Sequence, residues 1–132
     1  MEKELILCDT NIFIHWFNGN ALTIETLIQI GLDNILIPSI TVMELMQGAQ
    51  NKQELAQLKR KIKNYNIIHF DQKTSELSIH LVEKYKLSHN TLIPDAIIAA
   101  TALTYDLTLY TYNLKDFNYI PGIKLYEFKM LT

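Results

Sequence analysis

Four acids stand at positions where a carboxylate has chemistry to offer. Asp9 directly follows the apolar run Leu5 to Cys8 and leads into Thr10-Asn11. Glu44 lies within Val42-Met43-Glu44-Leu45, and Asp95 sits between Pro94 and the uncharged stretch Ala96 to Leu103. Asp116 closes Thr111-Tyr112-Asn113-Leu114-Lys115-Asp116. Each also has an ordinary explanation. Asp9 can cap the helix predicted from Asn11, a role worth about 1 kcal/mol. At about 100° per residue, Glu44 points nearly opposite Val42, Leu45, Met46 and Ala49. Ile40 and Met43 lie on its own side, so the helix reads as apolar nearly all round, and periodicity leaves Glu44 undecided between surface and site. Asp95 in a first helical turn is favoured by the macrodipole. The apolar helix behind it predicts burial, however, and a buried carboxylate stays ionised only with hydrogen bonds or a cation. Asp116 alone passes for a loop acid beside Lys115.

Converging carboxylates repel one another unless protons or a cation intervene. A hard divalent ion with oxygen ligands, Mg²⁺ or Mn²⁺, meets that need. Such an ion activates water near neutral pH and offsets charge on a phosphoryl group. The remaining acids read as structural: Asp71 as a helix cap, Asp33 in a turn, Asp106 at a helix end. Other chemistries find little support. Cys8 lies at the buried end of a strand and reads as a small core residue. His15, His69, His80 and His89 are scattered, with neither an HxxxH pair nor a CxxC for zinc. The glycines at 19, 31, 48 and 122 are isolated, so no phosphate-cradling loop exists.

The elements that must position these acids alternate between short apolar runs and helical patterns. Strands are predicted at Leu5 to Cys8, Ile35 to Ile37, Ile67 to Phe70, Leu107 to Thr111 and Lys124 to Phe128. Helices are predicted over Asn11 to Phe17, Ala21 to Ile30, Thr41 to Ala49, Lys52 to Tyr65, from Asp71 to about Tyr85, and over Pro94 to Tyr105. Alternation of this kind predicts an α/β fold, a central parallel sheet of about five strands with helices on both faces. In such folds the ligand site lies beyond the carboxyl ends of the strands.

The 132 residues fit one domain, residues 1–132, with no repeat, linker or low-complexity tract. With 48% hydrophobic and 20% charged residues, the chain has core enough without disulfides. The lone Cys8 suits a reducing cytoplasm. Glu2, Lys3 and Glu4 argue against a secretion signal, and Ala96 to Leu103 is too short to cross a bilayer. Twelve Lys and Arg against fourteen Asp and Glu give a net charge of −2, which excludes binding to nucleic acid by bulk charge. A local basic edge is compatible with it. Lys52, Lys59, Arg60, Lys61 and Lys63 gather on one predicted helix, as a solvated face or as a rim that steers RNA.

Together, Asp9-Thr10-Asn11, Glu44 in its Val-Met-Glu-Leu helix, Pro94-Asp95-Ala96 and Thr111-x-Asn113-x-x-Asp116-Phe117 resemble the PIN domain, and within it the VapC-type toxins of toxin–antitoxin pairs. The motifs occur in order over essentially the whole chain. The resemblance implies an Mg²⁺- or Mn²⁺-dependent endoribonuclease acting on an RNA substrate, a homodimer, and a small cognate antitoxin whose tail enters the active-site groove. It makes Asp9, Glu44, Asp95 and Asp116 the catalytic quartet. Asp9 and Asp95 are the direct metal ligands, with Glu44 and Asp116 joining directly or through water. Thr10, Asn11, Thr111 and Asn113 become polar neighbours that orient carboxylates. Tyr112 stands where such toxins often carry a basic residue, which leaves Lys115 as the substrate contact. The apolar residues Ile24, Leu27 and Ile28 offer a face for the second copy. Two alternatives remain: a degenerate PIN domain that binds RNA or protein without cutting, and a receiver-like signalling domain, which also places acids at strand ends.

Overall fold

The computed structural model describes residues 4–128. Five short strands, β1 (Ile6–Cys8), β2 (Ile35–Pro38), β3 (Asn66–Ile68), β4 (Thr108–Tyr110) and β5 (Lys124–Leu125), form one parallel sheet in the order β3-β2-β1-β4-β5. Six helices accompany them among the described residues: α1 (Thr10–Phe17), α2 (Ala21–Ile30), α3 (Ser39–Gln47), α4 (Lys52–Ile62), α5 (Gln72–His89) and α6 (Ile93–Thr104).

The pleat of β1 explains the layers. Ile6 and Cys8 join Ile12, Phe13, Leu27, Leu58 and Tyr110 on the face covered by α1, α2 and α4. Leu7 points the other way, toward Leu81, Ala96, Ile98, Leu109 and Phe117 under α5 and α6. A strand covered on both faces reads as an unbroken apolar run, which is how Leu5 to Cys8 reads.

The topology places the site. From β1 the chain steps outward through β2 to β3, and α5 and α6 then carry it back to β4 on the other side of β1. The direction of winding reverses between β1 and β4, and ligand sites form at the carboxyl ends of such a pair. Cys8 is in register with Tyr110, so the next residues, Asp9 and Thr111, stand side by side at that crevice. The Asp9 N–H donates to the Tyr110 carbonyl at 2.9 Å, extending the ladder to the acid itself. A receiver-type sheet would be ordered 2-1-3-4-5. The observed order removes that alternative.

Several boundaries differ from the sequence expectation. Helix α5 runs about a turn past Tyr85 to His89, where Asn90 adopts the left-handed conformation (φ 53°) that stops it. Strand β5 covers only Lys124 and Leu125, because Tyr126 and Phe128 pack into the cluster around Tyr110 instead. Strand β3 ends at Ile68, two residues short of the expected Phe70. Helix α3 starts at Ser39 and is less covered than its composition suggests: only Thr41 is buried, while Met43 and Met46 are 49% and 37% exposed. Leu27 belongs to the core at 4% exposure and offers nothing to a partner, whereas its neighbour Ile28 is 73% exposed. No helix among the described residues is long and apolar enough to cross a membrane.

Candidate active site

Asp9 is 5% exposed at the end of β1 and caps α1. Its Oδ1 accepts the Thr10 N–H at 2.7 Å, while Oδ2 accepts from the Thr111 hydroxyl at 2.8 Å and from Asn11 Nδ2 at 3.2 Å. The cap and the site acid are therefore one residue, and the two sequence readings of Asp9 are compatible. The Thr111 hydroxyl accepts from the Asn113 N–H at 3.0 Å, so its single proton is free to point at Asp9. Burial pushes the Asp9 pKa up to about 6; the hydrogen bonds from Thr111 and Thr10 pull against it, and the Glu44 and Asp116 charges add to it.

Thr10 joins two acids. Its backbone serves Asp9, and its hydroxyl donates to Glu44 Oε1 at 2.7 Å. With that proton committed, the contact of 3.0 Å between the Thr10 and Thr41 hydroxyls must be donated by Thr41. A directed relay results, Thr41 to Thr10 to Glu44, rooted in a fully buried Thr41. Sequence reasoning missed Thr41. The available signal was its spacing, three residues before Glu44, which sets both on one face of α3. That relay gives Glu44, which periodicity left open, a fixed partner: its half-buried carboxylate is held by Thr10, the neighbour of Asp9.

Asn11 ties the two strand ends together. Its Nδ2 reaches Thr111 Oγ1 at 3.4 Å as well as Asp9, and its Oδ1 accepts the Tyr112 N–H at 3.2 Å. The Tyr112 side chain turns inward, its hydroxyl 2.5 Å from Thr23 Oγ1 and 2.8 Å from that of Tyr110, with the ring edge-on to His15. That hydroxyl is engaged in the fold. Asn113 and Lys115 are exposed, Lys115 next to Asp116 in the single-turn 3-10 segment Leu114–Asp116.

Asp95 lies in the first turn of α6, behind Pro94. The helix that carries it is buried through Ala96, Ile98, Ala99, Ala100, Thr101 and Ala102, so the carboxyl sits half-buried at the mouth of the crevice. Burial, then the charges of Asp9, Asp116 and Glu44, raise its pKa to about 7, and no hydrogen bond offsets them. Asp116 is exposed, but the buried Phe117 anchors the segment, and its charge reaches both Asp9 and Asp95. The four acids thus share one electrostatic field. Among the described residues no three His, Cys, Asp or Glu side chains converge closely enough to hold an ion as they stand. The donor set, four carboxylates flanked by hydroxyls and amides, nonetheless has the all-oxygen chemistry of a hard divalent cation. An added positive charge would relieve the repulsion that raises Asp95.

Residues 6–122 match the family model for the PIN domain. No curated protein sequence matches the chain. Among solved structures, a toxin–antitoxin complex from Klebsiella pneumoniae contains a chain 37% identical to this one, matched over 89% of this chain and 94% of that chain at a TM-score of 0.75. VapBC2 from Rickettsia felis, bound to a DNA fragment from their promoter, is 26% identical over 95% of this chain and 99% of its own, with a TM-score of 0.79. DNA-bound VapBC from Salmonella typhimurium shares the fold at a TM-score of 0.81, with 24% identity over 93% and 97% of the two chains. With its strand order, its crevice acids and a model match over nearly all described residues, the chain belongs to the PIN domain family.

Proposed function

We propose that the chain is a metal-dependent endoribonuclease of the VapC type, the toxin of a toxin–antitoxin pair, with Asp9, Glu44, Asp95 and Asp116 as its catalytic acids. The observation that carries this reading is the gathering of the four carboxylates at the β1–β4 crevice, where burial and then the charges of Asp9, Asp116 and Glu44 raise the Asp95 pKa to about 7. Asp9 and Asp95 would hold Mg²⁺ or Mn²⁺, with Glu44 and Asp116 joining directly or through water. When bound, the ion supplies Lewis-acid charge that activates water and steadies the phosphoryl oxygens. The chain's own contribution is positioning: Thr10, Asn11 and Thr111 fix Asp9, and the Thr41–Thr10 relay fixes Glu44. Lys115, exposed beside Asp116, would meet a substrate phosphate.

Water attacking the phosphorus, with the 3′ oxygen leaving, gives a 5′-phosphate and a 3′-hydroxyl. Incubating the protein with total RNA and Mn²⁺, then mapping the ends, tests this. Cleavage that survives EDTA would show that no divalent ion takes part, and cyclic-phosphate ends would show that the 2′-hydroxyl is the nucleophile; either overturns this mechanism. The binding-module alternative predicts no cleavage with either metal.

Thr41 provides a second test. Thr41→Val keeps the shape but removes the donor to Thr10, so cleavage should fall about tenfold, the low end for residues that orient metal ligands. Thr41→Ser should restore most of it. Equal activity in Thr41→Val and wild type would leave the relay without a role.

The partners follow from the same reading. A small antitoxin can neutralise the quartet with an arginine, whose guanidinium pairs with carboxylates in bidentate fashion. A second copy of the chain fits the α5–α6 face better than α2. There Ile79 and Ile93 are 65% and 67% exposed around a groove of about 480 Å³ that also includes Phe70, Val82 and Ile97. Isologous pairing would bury this patch twice. Sedimentation should show a dimer at tens of micromolar, converted to monomer by Ile79→Asp; a monomeric wild type would refute the pairing.

A further inference from the structure

The basic residues of α4 have no part in the acid site, yet they connect to it. A groove of about 490 Å³ opens at Glu44 and runs between α1, α3 and α4, past Phe17, Leu45, Gln57 and Lys61. A second hollow of about 610 Å³ is lined by Trp16, Gln57, Arg60, Lys61 and Asn64. Gln57 and Lys61 line both, so the two adjoin across these side chains. Along this path the charge changes sign, from the quartet acid Glu44 to Lys61 and Arg60. The Lys61 ammonium lies 4.8 Å from the Phe17 ring centroid, which holds it along the groove wall. The single ion pair among the described residues is Lys124 with Asp106, so neither Lys61 nor Arg60 is neutralised by a carboxylate. Glu54, which also lines the groove, turns its Oε2 back to the Gln50 N–H at 2.7 Å. At the far end, the half-buried Trp16 is braced by Tyr65, edge-on at 5.5 Å, and by Phe17 at 4.8 Å.

A groove whose largely apolar wall gives way to unpaired cations and an aromatic ring matches single-stranded nucleic acid, whose phosphates need positive charge and whose bases stack on aromatic faces. A duplex would instead be read across its wide minor groove, through 2′-hydroxyls and phosphates. We propose that single-stranded RNA enters or leaves the acid site along this track, with phosphates on Lys61 and Arg60 and a base against Trp16. The proposal rests on the nuclease reading of the quartet and adds where the strand lies. It also gives the cations of α4 a purpose beyond the favourable end of a helix dipole.

The test is fluorescence anisotropy with a 5′-labelled, random-sequence RNA ten nucleotides long, kept whole with EDTA and titrated against wild type and an Arg60→Ala/Lys61→Ala double variant at several salt concentrations. Lys73→Ala/Lys84→Ala, a pair of exposed changes on α5, is the charge-matched control. Thermal melts confirm that all three proteins fold. Each lost phosphate contact lowers the slope of log affinity against log salt by about 0.7, so the double variant should lose about 1.4. Its Kd should rise about tenfold, and in cleavage of total RNA with Mn²⁺ the change should fall on KM while kcat is kept. An Arg60→Ala/Lys61→Ala protein with the affinity and salt slope of Lys73→Ala/Lys84→Ala overturns the track, and that is the result if the groove receives a protein partner instead. If wild type cuts RNA in that case, the nuclease reading survives alone. If wild type neither binds nor cuts RNA, both fail.

Discussion

Asp95→Asn should abolish RNA cleavage and, in the absence of metal, make the protein more stable. The two effects have one origin. The Asp95 carboxyl is half-buried and faces the charges of Asp9, Asp116 and Glu44, with no ion pair to balance them among the described residues. Replacing it with the amide removes one charge from the proposed metal site while keeping size and shape. Substituting even an outer partner of a metal ligand costs about 10- to 100-fold, so if Asp95 is the direct ligand proposed above, its loss should cost more than about 100-fold in kcat/KM. The stability gain follows from linkage. With the pKa raised from 3.8 to about 7, ionising Asp95 in the folded state costs on the order of 2–4 kcal/mol at pH 8. Asparagine carries no such cost, so the metal-free Tm should rise by about 5 °C or more. Asp9→Asn is the less clean experiment. Its carboxylate also caps α1 and accepts from Thr10, Asn11 and Thr111, so the amide would lose real hydrogen bonds along with the repulsion. A folded, fully active Asp95→Asn protein would remove Asp95 from the mechanism. An inactive variant with a lower metal-free Tm would mean that the carboxylate has a stabilising partner.

Most of the fold was legible because the sheet is parallel and its central strands are covered on both faces. Leu5 to Cys8 is a short unbroken apolar run and Leu107 to Thr111 alternates apolar residues with threonine, while Asp9 directly after the first and Asp116 five residues after the second mark the carboxyl ends. Strand order was not legible. Nothing local in the chain says that β4 returns beside β1 rather than beyond β3, yet this return is what brings Thr111 to Asp9 and separates the fold from a receiver. The same limit applies to the site. The four acids could be singled out by position, but their second partners depend on contacts across the chain: Thr41 lies 31 residues from Thr10, and Thr111 lies 102 from Asp9. Periodicity misjudged the cover on α3 and the availability of Leu27 for a related reason. An apolar face shows that something can be buried there, not which element comes to bury it.

The pH dependence of stability should reverse its usual sense when metal is removed, and metal should reverse it again. Asp9 and Asp95 have folded pKa values of about 6 and about 7, both above their ordinary 3.8. Between about pH 4 and pH 7 the folded state therefore retains protons that the unfolded chain has released, and stability falls as pH rises through that window. Asp71 works in the opposite sense. Hydrogen bonds from Thr74 and Tyr105 hold its carboxyl down at about 2, so its contribution is present above pH 4 and is lost only in stronger acid, outside the window. With EDTA present, the Tm of wild type should drop between pH 5 and pH 8 relative to that of Asp95→Asn, a difference that cancels titrations elsewhere in the chain. A divalent ion held as proposed by the ionised quartet and not by the unfolded chain would stabilise in proportion to RT ln(1 + [L]/Kd). Protons compete for the same oxygens, and the gain must grow with pH. Millimolar Mn²⁺ should accordingly raise the wild-type Tm by several degrees at pH 8, much less at pH 5, and little at either pH in Asp95→Asn. Equal Mn²⁺ shifts in wild type and variant would place the ion away from the quartet. A wild-type Tm that climbs with pH relative to the variant would mean that Asp95 is not held above its ordinary pKa in the fold.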